Sequence, residues 1–200
     1  MDKKNSDLLQ MFSTPIWTSM VENSEEINAK MYDYIKSLQS KNKEGISKSN
    51  VEGWHSDYFN LELEEPRFFL NSISSYLNKV FEDMGWDLQK QKVKVTSMWS
   101  IINKKNSSNA RHIHSNNYIS AAYYIKAPKN CGNIIFYDPR SEAVFRHPII
   151  SKPNKLNTNS FSIEPKEGLL VLFPSYLNHS VDLNNSDEER VVISFNIDLI

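Results

Sequence analysis

The stretch that decides the fold is Arg190-Val191-Val192-Ile193-Ser194-Phe195-Asn196-Ile197, near the end of the chain. Successive side chains of a β-strand point to opposite faces. One face of this strand is therefore wholly apolar, and the other carries Arg190, Ser194 and Asn196 beside a single valine. The apolar face is suited to pack against a layer of helices, which would turn the polar face toward the interior of a barrel or sandwich.

An arginine on that interior face limits what can lie beside it. An unpaired charge away from water is costly, and a carboxylate that binds both arms of the guanidinium would satisfy it. The alternative is that Arg190 lies on the surface and pairs with the acidic run Asp187-Glu188-Glu189. Exposed pairs of this kind contribute little, and the alternation of the strand favours the interior.

The rest of the chain divides into a helical first part and a β-rich second part. The spacing of apolar residues predicts one helix over about 25–40, capped by Ser24, and a second that opens at Pro66 and ends at Gly85. From Val93 the period changes to two, and polar turns separate short β-rich runs. These runs are 93–102, 118–125, 133–137, 161–163, 169–173 and 191–197.

This pattern predicts a mostly β fold with flanking helices. We expect one domain over 1–200, with a helical layer and loops over about 1–90 and a sandwich or barrel core over about 91–200.

Composition narrows the function classes. With 23 basic and 24 acidic residues, the chain gives no electrostatic reason to bind nucleic acid or a membrane surface. Its single cysteine, Cys131, excludes an intramolecular disulfide. Residues 1–10 are polar and lack the apolar core of a signal peptide, and no apolar run is long enough to cross a bilayer. We therefore expect a soluble, cytoplasmic protein.

Three of the five histidines form a candidate metal site. His112 and His114 would lie on the same side of one strand, about 6.6 Å apart at ~3.3 Å per residue, so both imidazoles can reach one ion. His179 follows an apolar strand and a turn, and can approach from a neighbouring strand. The alternative is that His112 and His114 are surface residues at the edge of a loop, but His179 and Arg190 favour a metal site with open positions, as in non-haem iron oxygenases.

Eight segments, spread from near residue 12 to the C-terminus, carry a resemblance to a known family. They are FSTPIW (12–17), GWHS (53–56), WSIIN (99–103), RHIH (111–114), SAAYYI (120–125), YDPR (137–140), LFPSYLNHSV (172–181) and RVVISFN (190–196). With these segments the chain resembles the 2-oxoglutarate- and iron(II)-dependent oxygenases, most closely a small subfamily of bacteria and phages. The resemblance implies a double-stranded β-helix (a cupin-like jelly roll) that holds Fe(II) and 2-oxoglutarate, in the host cytoplasm if the chain is phage-encoded.

The resemblance also implies roles for individual residues. His112 would be the first metal ligand and His179 the distal one, while Arg190 and Ser194 would hold the distal carboxylate of 2-oxoglutarate. The wider superfamily carries Asp or Glu where this chain has His114. We favour His114 as the remaining ligand because it occupies that position, and we retain Asp138 as the alternative carboxylate ligand.

Further polar and aromatic residues belong near this site. Asn103 and Tyr124 lie on predicted strands and could bond 2-oxoglutarate or orient a ligand. Trp54, His55 and Tyr58 precede the second helix and could line the substrate entrance, although packing in the core is the more common role of such a tryptophan.

We therefore predict a 2-oxoglutarate- and Fe(II)-dependent dioxygenase that uses O2 to hydroxylate a C–H bond of a small molecule or of a peptidyl, prolyl-type substrate. Two alternatives are a cupin-like metal protein without 2-oxoglutarate chemistry and a non-catalytic jelly-roll module with a structural ion. Arg190 discriminates among them, because neither alternative needs a buried cation eleven residues after the last histidine. The sequence leaves the substrate and the oligomeric state open.

Overall fold

The computed structural model describes residues 7–140 and 148–200, and in these ranges it contains eleven strands and two helices. In chain order they are β1 Trp17–Met20, α1 Ser24–Lys41, β2 Asn50–Val51, β3 Trp54–His55, α2 Glu64–Met84, β4 Val93–Asn103, β5 Ser108–His112, β6 Ile119–Lys126, β7 Ile134–Tyr137, β8 Ser160–Ile163, β9 Leu169–Pro174, β10 His179–Val181 and β11 Arg190–Leu199. No helix of these ranges has the length and hydropathy to cross a bilayer.

The strands form two antiparallel sheets. One has the order β1-β9-β6-β11-β4-β3, and the other has the order β2-β5-β10-β7-β8. Side chains from both sheets meet in one apolar cluster, in which Tyr124, Phe173 and Val192 of the larger sheet pack with Ile134 and Phe136 of the smaller one. The jelly-roll fold predicted from the sequence is confirmed.

The two helices cover the outer face of the larger sheet. Phe69 of α2 contacts Tyr123 and Phe195, with ring centroids 5.1 and 6.0 Å apart. These three residues belong to a second apolar cluster, the helix-side cluster, in which the apolar face of β11 is buried, as the alternation predicted. The larger sheet is therefore buried on both faces, with helices on one side and the smaller sheet on the other.

The predicted helices are present, but their first residues differ. The residue before α1 is Asn23, in the left-handed region at φ 52°, so Ser24 is the first helical residue rather than the cap. Helix α2 begins two residues before Pro66, which the first turn tolerates because nitrogens there have no helical partner. Gly85 ends α2 at φ 65°, as predicted.

Candidate metal centre

Two neighbouring strands of the smaller sheet bring the histidines together. His112 is the last residue of β5, His179 is the first of β10, and the two are paired in register. The prediction that His114 lies on the same strand as His112 is wrong. The chain leaves the ladder after His112, and the backbone N–H of His114 donates to the carbonyl of Ser175 at 3.0 Å.

The three imidazoles nevertheless converge. Their candidate ligand atoms all lie within 4.8 Å of one another, and Nε2 of His114 is 3.2 Å from Nε2 of His112. Each Nδ1 atom forms a hydrogen bond with at least one oxygen atom. The partners are Ala110 O for His112 (2.7 Å), Leu177 O for His179 (3.0 Å), and Asn196 Oδ1 (2.7 Å) and Ser120 Oγ (2.8 Å) for His114.

These partners decide which nitrogen carries the proton. Carbonyl and amide oxygens only accept hydrogen bonds, so the hydrogen-bond network assigns the proton to Nδ1 and leaves a lone pair on each Nε2. Two lone pairs facing one another at 3.2 Å repel unless a cation lies between them. Nitrogens ~2.1 Å from one ion and roughly at right angles are about 3 Å apart, so this arrangement fits a divalent metal.

Burial keeps the imidazoles in the neutral form that binds metal. It lowers the pKa of His114 to about 4 and that of His179 to about 3, and it also lowers the pKa of His112. At neutral pH none of the three side chains needs to lose a proton before it can act as a ligand.

The structure does not bring Asp138 to this cluster. Its carboxylate accepts hydrogen bonds from Nε (3.0 Å) and Nη2 (2.7 Å) of Arg140, and this arginine holds the pKa of the carboxyl below its usual range. Asp138 therefore takes part in the turn that follows β7, and the alternative of a carboxylate ligand from this position is not supported.

Arg190 lies in the wall of the cavity that the histidines line. This cavity has a volume of about 780 Å³. The residue is 2% exposed, and Nη1 donates to the carbonyls of Cys131 (2.6 Å) and Gly132 (3.0 Å). Burial lowers the pKa of the guanidinium. Among the described residues no carboxylate pairs with it.

The surface alternative for Arg190 is therefore wrong. Two of the three neighbouring acids have other partners: Asp187 pairs with Lys105 at 2.6 Å and Glu189 with Lys36 at 3.4 Å. A buried guanidinium whose protein partners are two neutral carbonyls, both on one nitrogen, is suited to receive an anion from the cavity.

The other predicted cosubstrate residues separate into two groups. Ser194 and Tyr124 line the cavity, and burial raises the pKa of Tyr124 to about 12, so its hydroxyl stays protonated. Asn103 lies behind the wall, where it donates to Asn109 Oδ1 at 3.1 Å. This placement favours a supporting role for Asn103 over direct contact with a ligand.

Sequence reasoning did not assign a role to Asn196 or Ser120, which orient His114. The two residues are cross-strand partners on β11 and β6, and Ser120 Oγ donates to Asn196 Oδ1 at 2.8 Å. The available signal was a polar residue at an inward-facing position of each strand, Asn196 on β11 and Ser120 on β6.

The residues predicted to line the substrate entrance also have different positions in the structure. Trp54 packs in the helix-side cluster and donates to Asn42 O at 2.8 Å, so its role is structural. His55 and Tyr58 line the cavity.

Comparisons with known proteins identify the family and the fold. The sequence model of the family described as "Putative 2OG-Fe(II) oxygenase" matches residues 97–196, half of the chain. A comparison with curated proteins finds no match. The fold is similar to that of a Pseudomonas putida prolyl-4-hydroxylase, at 11% identity over 92% of this chain and 93% of that one, with a TM-score of 0.64.

Two further solved structures have the same fold. The viral collagen prolyl hydroxylase vCPH from Paramecium bursaria Chlorella virus-1 is 14% identical over 91% of this chain and 94% of that one, with a TM-score of 0.59. HygX from Streptomyces hygroscopicus, solved with nickel, 2-oxoglutarate and hygromycin B, is 12% identical over 92% and 83%, with a TM-score of 0.60. At these identities the likeness concerns the fold.

Proposed function

The chain belongs to the 2OG-Fe(II) oxygenase family, and from this premise we propose that His112, His114 and His179 hold its iron while Arg190 binds the distal carboxylate of 2-oxoglutarate. Bound iron(II) and 2-oxoglutarate supply the oxidation of an unactivated C–H bond, with O2 consumed and succinate and CO2 formed. The protein supplies the binding sites and the orientation of the bound groups in one cavity.

One observation carries the assignment of Arg190. The residue is buried in the same cavity as three neutral imidazoles, and no carboxylate among the described residues pairs with it. A cupin-like metal protein without 2-oxoglutarate, or a jelly-roll module with a structural ion, has no use for such a cation. The distal carboxylate of 2-oxoglutarate supplies the missing charge in the fork geometry that arginine prefers.

The remaining wall residues support the same arrangement. Ser194 lies on the same face of β11 as Arg190 and offers a hydroxyl donor to the same carboxylate. Tyr124, protonated at neutral pH, offers a second one. The oxygens behind the three Nδ1 atoms fix the orientation of each ring, which keeps every Nε2 aimed at the metal.

The substrate that we propose is a small molecule or a peptidyl, prolyl-type residue, hydroxylated at a C–H bond. Two of the similar structures are prolyl hydroxylases, which supports a prolyl substrate. HygX was solved with hygromycin B, which supports a small molecule. We also propose that residues 1–200 act as one domain in the cytoplasm, in keeping with the single cysteine.

An anaerobic titration tests the proposal. Purified protein is loaded with one equivalent of Fe(II), and 2-oxoglutarate is added while the metal-to-ligand charge-transfer absorption is followed. We expect the band to saturate at one cosubstrate per chain and, in air, succinate to form. Tight metal binding without the band would identify a metal protein that does not use 2-oxoglutarate.

A further inference from the structure

An aromatic wall lies beside the metal-binding imidazoles. His55, at the end of β3, pairs with Ile101 of β4 and stacks on the ring of Trp99, with centroids 5.7 Å apart and planes 8° from parallel. The Trp99 ring in turn meets the ring of His114, with centroids 5.4 Å apart. His55 and Trp99 are 4% and 7% exposed, and both line the cavity. The His55–Trp99 wall is therefore continuous with the metal site.

Each residue of this wall has a polar atom without a partner. His55 Nδ1 donates to the carbonyl of Ser56 at 2.6 Å, which leaves the Nε2 lone pair as an acceptor. No hydrogen bond to this Nε2 is present among the described residues. Trp99 Nε1 is buried and also has no partner within the described ranges. A buried polar atom is rarely left unpaired, so Trp99 Nε1 indicates a ligand that contacts the wall. His55 Nε2 offers the same ligand a hydrogen-bond acceptor.

The charge of the cavity indicates the class of that ligand. Among the described residues that line it there is no Asp or Glu, whereas Lys48, Arg111 and Arg190 are basic. Under the proposed function the charges of iron(II) and of 2-oxoglutarate cancel, so these three residues leave the loaded cavity positive. A positive cleft with apolar walls concentrates anions.

Lys48 is the rim cation best placed to act on the wall. Lys48 lines the same cavity as His55 and Trp99. Burial is the main cause that lowers the pKa of His55; the nearby charge of Lys48 lowers it further, whereas the hydrogen bond to Ser56 and the charge of Asp57 raise it. Lys48 forms no ion pair with any described residue. Arg111, by contrast, lies over the ring of Tyr137, 4.1 Å from its centroid.

We propose that the substrate is a carboxylate-bearing molecule whose body lies on the His55–Trp99 wall and whose carboxylate pairs with Lys48. The inference rests on the proposed function and specifies its substrate class. An N–H or O–H group of the same molecule donates to His55 Nε2, which orients the body on the wall next to the metal. A free acid and an acidic peptide both present this chemistry.

Matched acids and amides test the proposal in the anaerobic complex with Fe(II) and 2-oxoglutarate. The probes are N-acetyl-L-phenylalanine, indole-3-acetate and the peptide Ac-Gly-Pro-Glu-NH2, each of which carries an N–H donor, and each is compared with its neutral amide (N-acetyl-L-phenylalaninamide, indole-3-acetamide and Ac-Gly-Pro-Gln-NH2). Binding is followed by calorimetry and by the change in the charge-transfer band. We expect at least one acid to bind about fivefold or more tightly than its amide, and the member that does so distinguishes a free acid from a peptide.

Variants identify the residue that causes the preference for the acid over the amide. Lys48→Gln should abolish the preference for the acid, whereas Lys43→Gln, the same change in the same loop but outside the cavity, should keep it. His55→Phe retains a ring on Trp99 but removes the hydrogen-bond acceptor, so the affinity for the acid should fall roughly 2- to 12-fold. His55→Gln, which restores an acceptor, should recover part of that loss.

Several outcomes would overturn the inference. They are equal binding of acids and amides, no binding of any acid at millimolar concentration, a preference that survives in Lys48→Gln, or a loss of 2-oxoglutarate affinity in Lys48→Gln. The last result would assign the lysine to the cosubstrate. Failure of the charge-transfer band to form in the wild-type protein refutes the proposed function instead, so the two failures are distinguishable.

Discussion

Both faces of β11 are buried, but they have different roles. On the helix side Val191, Ile193, Phe195 and Ile197 are each 0% exposed. On the cavity side the exposed fractions are also small, from 2% at Arg190 to 8% at Ser194. On the first face every side chain finds apolar partners within the protein. On the second face the protein satisfies the guanidinium only in part.

The difference separates burial that stabilises the fold from burial that prepares a binding site. Apolar burial on the helix side contributes to the free energy of unfolding without further partners. Burial of Arg190 costs free energy until an anion arrives, because an isolated charge is poorly solvated there. Variants on the two faces should therefore affect different measurements.

The largest effect on stability is expected on the helix side. Phe195→Ala removes a ring packed against Phe69 and should lower the free energy of unfolding by about 3–5 kcal/mol. Chemical denaturation measures this loss. At a temperature where the variant is still folded, its metal content should equal that of the wild type.

Ser194→Ala, one residue away on the cavity face, is the matched control. It removes one hydroxyl and should change the free energy of unfolding by less than about 1 kcal/mol. Equal destabilisation by the two variants would contradict the division of roles between the faces.

The next effect is expected at the metal. His179→Ala removes one of three nitrogen ligands and should weaken metal binding by roughly 3 kcal/mol, about a quarter of the ~10–16 kcal/mol with which four ligands bind structural zinc. Metal analysis after gel filtration should find the variant empty. The Phe195→Ala protein, which is less stable but keeps its metal ligands, serves as the control. An undiminished metal content in His179→Ala would contradict the proposed metal site.

The two faces of β11 also show what the sequence could predict. Strict alternation predicted which side chains point inward, and with them the burial of Arg190. The period of two from Val93 likewise predicted the β-rich core. Both patterns are local properties of the chain, so they can be recognised in the sequence without knowledge of the fold.

The rest depended on contacts between distant segments. β2 and β3 have two residues each and exist through pairing with β5 and β4. The position of His114 beyond the end of β5 follows from its backbone bond to Ser175, sixty-one residues later. The hydrogen bonds that His114 donates to Asn196 and Ser120 require the β6–β11 register, which no short stretch of sequence reveals.

A smaller effect, confined to the cosubstrate, is expected at Arg190. Arg190→Lys keeps the charge, but a lysine cannot bond the carbonyls of Cys131 and Gly132 and also present a planar fork to a carboxylate. We expect 2-oxoglutarate to bind about 1.5–3 kcal/mol more weakly, or roughly 10- to 150-fold. Anaerobic titration measures this change, and iron affinity without cosubstrate should not differ from wild type. An unchanged 2-oxoglutarate affinity would place the cosubstrate elsewhere.

The smallest effect is expected at Asp138. Its partner Arg140 has a side chain that is 57% exposed, and an ion pair with such a group contributes about 0–1 kcal/mol. Asp138→Asn should therefore change the free energy of unfolding by no more than about 1 kcal/mol and leave the metal content unchanged, whereas His114→Ala should lose the metal. Both variants are compared by metal analysis and denaturation. If Asp138→Asn lost the metal and His114→Ala kept it, a carboxylate would complete the site. The facing Nε2 atoms of His112 and His114, 3.2 Å apart with both protons on the far side of the rings, favour the opposite result.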